Sequence, residues 1–150
     1  MKWDLPRPFE WRVEVTGEQL DGLHHVNNAE YVRWCERTGW AHSIALGLDV
    51  SHYQQLDRGM AIRRAEYDYI LAAREGDELL FGTWLTMVDG RINLTRRFQV
   101  FRLSDGALIL RAQWQMVCIE LSSGRPRRMP QAFRDTYTPA VVTLPAADPH

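Results

Sequence analysis

One stretch of this chain carries its apolar residues at helical spacing over a long distance, and almost everything around it alternates. From Asn28 to Leu46, Glu30, Arg33 and Arg37 fall on one stripe while most of the remaining circumference is apolar or small. That describes a largely buried helix with one narrow polar face. Asn27 suits the N-cap, Glu30 stands where a capping box places its acid, and Gly47 suits the position just past the end. At 1.5 Å per residue the helix is about 28 Å long, enough to cross a small domain. Trp34 and Trp40 add large apolar area to it.

The other segments read as strands. Phe9 to Thr16 alternates apolar and polar residues, the mark of a half-buried strand. A short irregular stretch, Gly17 to Asn27, leads into the helix. After a loop, strands are expected over residues 60–72, 78–88 and 91–103 and from Leu108 to Glu120. Asp89-Gly90 is a strong hairpin signal, and Glu75-Gly76-Asp77, Ser104-Asp105-Gly106 and Ser122-Ser123-Gly124 supply the other turns. In the last strand Leu108, Leu110, Ala112, Trp114, Met116 and Cys118 share one face, with Arg111, Gln113 and Gln115 on the other. A lone buried helix must be covered, so the expectation is an α+β domain: five antiparallel strands curved around one long helix. Its core runs from about residue 9 to 130 of a single domain over residues 1–150. The tail, with Pro126, Pro130, Pro139, Pro145 and Pro149, reads as an extended, frayed finish.

Composition closes off several classes. Apolar residues make up 45% and charged residues 25% of the 150, which is globular rather than disordered usage. A net charge of −1 lacks the basic excess of a nucleic-acid binder. No apolar run approaches the roughly 18 residues of a membrane span. The start, Met1-Lys2-Trp3-Asp4-Leu5-Pro6, has an acid and a proline where a leader would be apolar. Cys35 and Cys118 lie inside apolar segments, as reduced core thiols of a cytoplasmic protein would. There is no Gly-x-Ser-x-Gly elbow, no phosphate-binding glycine loop and no paired Cys-x-x-Cys, and His24-His25 has no third ligand at obvious spacing. Neither a metal nor a cofactor is expected.

The chemistry concentrates in Asp21-Gly22-Leu23-His24-His25-Val26-Asn27-Asn28. An acid and a histidine stand just before a long helix, whose first N–H groups lack intrahelical partners and carry positive potential. Such N–H groups polarise a carbonyl and stabilise an oxyanion, while a carboxylate within reach can attack or activate water. Thioester hydrolysis suits this set, because a thiol with a pKa near 8.5 leaves without a strong acid. A plain reading stays open beside it, with Asp21-Gly22 a turn, Asn27 a cap and His25 a loop histidine.

Asp21-x-x-x-His25-Val26-Asn27-Asn28-x-x-Tyr31 at the head of such a helix resembles the hotdog-fold acyl-CoA thioesterases. They lie within the 4-hydroxybenzoyl-CoA thioesterase-like superfamily, and the likeness is nearest to the long-chain acyl-CoA thioesterase III type. It extends over residues 9–130 through Glu36-Arg37, Asp68-Tyr69, Gly76-Asp77, Val117-Cys118-Ile119-Glu120 and Gly124-Arg125-Pro126. The resemblance implies a hotdog fold and hydrolysis of fatty acyl-CoA. It implies a catalytic acid at Asp21, an oxyanion N–H at Asn28 and the motif histidine at His25. It also implies a homodimer with active sites at the subunit interface, or a tetramer of two such dimers. Plant acyl-ACP thioesterases place an Asn where this chain has Leu23, and hotdog hydratases use an Asp-x-Asn-Pro-x-His run that is absent. A non-catalytic acyl-binding module on the same fold is the rival from another class.

Substrate-contacting candidates at the helix start are Asn27 and Tyr31, with Trp34, Tyr67 and Tyr69 as lining or plain core. Alternation groups Arg64, Glu66 and Asp68 with Ile62 and Ile70, either as a salt-bridged surface row or with Glu66 or Asp68 as a second acid near the helix start. Arg125, Arg127 and Arg128 form a basic cluster that suits either a solvated end or the phosphates of CoA. His42, inside the helix, reads as structural.

Overall fold

Alternating segments pair into one sheet, and the helical segment lies across it. The computed structural model describes residues 1–143. The elements are β1 (Phe9–Glu14), α1 (Asn28–Leu46), α2 (Val50–Leu56), β2 (Arg58–Tyr69), β3 (Glu78–Val88), β4 (Asn93–Arg102), β5 (Leu108–Glu120) and α3 (Gln131–Tyr137). The five strands form an antiparallel sheet in the order β1-β3-β4-β5-β2. This is the expected hotdog arrangement. Among the described residues both sheet edges, β1 and β2, are unpaired.

One sheet face packs on α1. Leu79, Phe81, Phe98, Val100, Leu110, Ala112 and Trp114 meet Tyr31, Trp34 and Cys35 in the main core. Trp34 stands edge-on to Phe81, and Phe98 edge-on to Trp114 at 4.6 Å between ring centres. Cys35 and Cys118 are free and buried. Burial raises both thiols, Cys118 to about 11, so both are neutral at physiological pH.

The opposite face carries the N-terminal segment. Trp3 lies edge-on to Trp84 and Phe101, and Leu5 is buried beside Trp84. Asp4 makes two bonds to Arg111, at 2.7 and 2.9 Å, while Gln99 holds the Asp4 N–H and the Lys2 carbonyl. Gly82 makes this close approach possible: a Cβ there would collide with the Trp3 ring.

Several expectations are corrected. The loop after α1 contains a helix, α2, capped by Asp49, which accepts from the His52 N–H at 3.0 Å. The tail is not simply extended: Phe133 and Tyr137 share one side of α3 and bury in a second cluster with Leu85, Leu94 and Met129. Pro145 and Pro149 lie outside the described residues. Glu30 pairs with Arg33 at 2.8 Å instead of closing a capping box, and Asn27 caps α1 by accepting from Ala29. The exposed side of α1 is broader than one polar stripe, for Glu36, Trp40, Ile44 and Ala45 also face outward. One side of the helix is covered by the sheet and the other is not. Finally, a bulge between Ile62 and Arg64 breaks the alternation of β2. Ile62 opposes Met116 on the helix side, whereas Arg64, Glu66 and Asp68 oppose Gln115, Gln113 and Arg111 on the far side.

Candidate active site

The segment before α1 is a tight loop built on Asp21. Leu20 and Val26 bridge at its neck, and the Asp21 N–H donates to the His25 carbonyl at 2.7 Å. Asp21 Oδ1 accepts from the backbone N–H groups of Leu23 (2.8 Å) and His25 (3.1 Å). His24 takes the left-handed conformation that closes the loop, with φ of 60°. The loop is fastened below: Val26 donates to the Ala73 carbonyl at 3.0 Å, and the Ala73 N–H donates to the Tyr31 hydroxyl at 3.1 Å. Asn27 donates to the Gln19 carbonyl at 2.8 Å.

This loop presents an exposed, ionised carboxylate. The two N–H groups, Leu23 first and His25 second, hold the Asp21 carboxyl below the ordinary aspartate value of 3.8, with the neighbouring histidines adding to the effect. The His25 backbone, not its ring, touches Asp21. At the helix start the Ala29 N–H is taken by the Asn27 side chain and the Glu30 N–H by the Asn27 carbonyl. Among the described residues the Asn28 N–H has no partner, and Asn28 is exposed. A helix N-terminus with one unengaged donor is a ready place for a polarised carbonyl.

The structure brings Asp21, His25, Asn27 and Asn28 together and leaves the other candidates elsewhere. Tyr31 is buried beneath the loop and braces Ala73. Glu66 lies on the sheet face away from α1, paired with Arg64 at 2.9 Å. Arg125, Arg127 and Arg128 are exposed beyond the end of β5, where Arg127 lies 3.4 Å from Glu120. That end of β5 meets Arg58, at the start of β2. The helix start lies instead by the end of β2, where Tyr31 packs on Tyr69, which opposes Leu110. Leu110 and Glu120 are roughly 30 Å apart along the strand, so the basic cluster and Asp21 occupy opposite ends of one protomer. Among the described residues no group of three acids, histidines or cysteines could hold a metal ion. No helix of the described residues is long and apolar enough to cross a membrane.

A cavity of about 300 Å³ opens between α1 and the β2 side of the sheet. Trp40, Met60, Ile62, Leu94, Trp114 and Met116 give it apolar walls, with Glu36 at α1 and Arg96 from β4 among its polar lining. Arg96 is only 4% exposed. Its Nη1 donates to His42 Nδ1 (2.9 Å) and Thr83 Oγ1 (3.1 Å). Burial, then the Arg96 charge, push His42 down to about 3, so its ring is neutral and accepts. Sequence reasoning missed this cavity, although one signal was present. Arg96 shares the parity of Leu94, Phe98 and Val100, an arginine on the apolar side of a strand.

Comparison with known proteins follows the same lines. A family model described as the thioesterase-like superfamily matches residues 15–136. Among solved structures, a 1,4-dihydroxy-2-naphthoyl-CoA thioesterase from Synechocystis superimposes with a TM-score of 0.78 at 20% identity, covering 88% of this chain and 96% of that one. A Staphylococcus aureus protein solved in complex with CoA gives 0.82 at 17% identity, covering 99% and 94%. A probable thioesterase from Escherichia coli gives 0.73 at 21% identity, covering 89% and 98%. No match was found among curated proteins.

Proposed function

The chain belongs to the thioesterase-like superfamily and is a thioester hydrolase; we propose that it cleaves fatty acyl-CoA to the free acid and CoA, with Asp21 and the Asn28 N–H at the reacting carbonyl. The unengaged Asn28 N–H is the observation that carries this reading, since the Ala29 and Glu30 N–H groups beside it are occupied. A thioester carbonyl set against it develops its negative charge at the positive end of α1. Asp21 attacks the carbonyl carbon itself, giving a mixed anhydride that water then hydrolyses to the free acid, or takes a proton from water attacking that carbon directly. Collapse of the tetrahedral intermediate expels CoA as a thiolate, a leaving group that needs no strong acid. Thiol release from a panel of acyl-CoAs of graded length tests this. Release from none of them would remove the proposal.

The same site calls for a second copy of the chain. An exposed carboxylate works in water, where its interactions are weak. Beside it the free edge of β2 carries exposed apolar side chains, including Ile62 (40%), Tyr69 (44%) and, just after the strand, Leu71 (50%). A long unpaired edge with apolar cover is a pairing surface. Two β2 edges related by a twofold axis run antiparallel, which sets the basic end of one copy beside the Asp21 end of the other. In that arrangement Arg125, Arg127 and Arg128 serve the CoA phosphates across the interface. A homodimer is therefore expected in solution, and two dimers can associate further. Sedimentation showing a monomer at micromolar concentration would contradict it.

The role of His25 is narrower than that of Asp21. Its contact with the acid is through its backbone N–H, which survives substitution. His25→Ala is expected to lower turnover by about tenfold or less, well short of a lost general acid–base group. Measured thiol release as low as that of an Asp21 variant would instead give the imidazole a direct part in proton transfer.

A further inference from the structure

The cavity beside α1 contains a buried guanidinium that makes no ion pair, the one carboxylate of its lining, Glu36, standing exposed at the rim. Among the described residues no carboxylate pairs with Arg96, and only its Nη1 is engaged. Among the described residues its Nε and Nη2 have no protein partner, yet no buried side-chain nitrogen or oxygen is left sealed without one. Those donors therefore face the cavity, which Arg96 lines. A buried guanidinium held only by a neutral histidine and a hydroxyl is costly unless an anion completes it.

The rest of the polar wall has no donors to spare. Ser43 gives its hydroxyl proton to the Leu48 carbonyl at 2.7 Å, so it accepts from Tyr137, and Tyr137 in turn accepts from Tyr53. Trp114 Nε1 is bound to the Tyr67 hydroxyl at 2.7 Å. Arg96 is left as the donor that a ligand can use. Gly39 keeps it reachable, because a Cβ there would come within 3.3 Å of the Trp114 ring and 3.6 Å of Arg96 Nε.

We propose that this cavity receives the far end of the acyl chain and that Arg96 binds a carboxylate there, making the preferred substrate the CoA monothioester of a dicarboxylic acid. The inference rests on the acyl-CoA reading above and deepens it. An apolar stem lies along Trp40, Ile62, Trp114 and Met116, and the carboxylate takes the free edge of the guanidinium, the geometry in which arginine binds such groups best. At about 30 Å³ for each water-sized group, the cavity holds on the order of ten non-hydrogen atoms. Its rim at Glu36, Trp40 and Ile62 opens on the β2 side, where the second copy is expected. Antiparallel β2 edges also run the two α1 helices antiparallel. The chain cleaved at one helix start then extends into the cavity of the other copy.

The test compares octanoyl-CoA with the CoA monothioester of octanedioic acid, following thiol release. The wild-type protein should show the higher kcat/KM on the diacid ester. Arg96→Met should lower that value by about tenfold or more, as loss of a buried charge partner does, and lower kcat/KM on octanoyl-CoA by much less, so that the preference for the diacid ester is lost. Equal or better wild-type turnover of octanoyl-CoA would overturn the proposal, as would equal losses on both esters. Should Arg96→Met fail to fold, calorimetry on the wild-type protein decides: octanoate, a carboxylate on an apolar stem, should bind more tightly than octan-1-ol, and equal binding would refute the anion site. If neither ester is cleaved, the fatty acyl-CoA reading fails, while the same calorimetry still judges the cavity.

Discussion

Asp21→Asn is expected to reduce acyl-CoA turnover by about a hundred- to ten-thousand-fold with little change in thermal midpoint. The separation of the two effects follows from the loop. An asparagine Oδ1 still accepts from the Leu23 and His25 N–H groups, so the turn and its bridge to Val26 survive. What is lost is the negative charge, and with it both the nucleophile and the base. The wild-type protein should also retain its rate well into acid, because the carboxyl titrates below its ordinary value of 3.8. Such a carboxylate is protonated only as pH falls through its lowered pKa, so the acid limb of the rate profile lies below pH 3.8 wherever the fold persists. Wild-type rates from Asp21→Asn in the thiol-release assay would take Asp21 out of the chemistry.

Phe98→Ala should do the reverse. Phe98 is buried on the helix side of β4, with its ring edge-on to Trp114. Truncating such a ring removes its burial and leaves a cavity, at a cost of about 3–5 kcal/mol. Domains of this kind are held by only about 5–15 kcal/mol, so the variant should unfold at much lower urea concentration. The folded fraction should keep most of its turnover, since Phe98 is no part of the Asp21 loop and reaches the cavity only through Trp114. A urea midpoint within experimental error of the wild type would mean that the sheet can close over the gap.

The difference between what was legible in the sequence and what was not is a matter of length and of parity. Strands of ten or more residues and a helix of nineteen repeat their pattern often enough to be read, whereas the Asp21 to Asn28 run that heads the helix stood out by its resemblance to a family motif. α2 and α3 have seven residues each, two turns, too few for a period to stand out. Phe133 and Tyr137 carried the only hint, as apolar residues four apart after Pro130. Parity failed in β2 because one bulged residue moves every later side chain to the other face, which takes Glu66 away from the helix start. The Arg96 cavity depends on α1, α2, α3 and three strands at once, and no single segment encodes it.

The two sealed thiols give this molecule a built-in tell-tale of its own integrity. A thiol-specific reagent reacts with thiolates, and Cys35 and Cys118 offer it neither access nor ionised sulfur while the chain is folded. Chromophore produced during turnover then counts only liberated coenzyme. Once the core opens, both sulfurs become available together, and a fixed stoichiometric step independent of added ester marks the opening. Catalysis and collapse thus write distinguishable signatures into one absorbance trace.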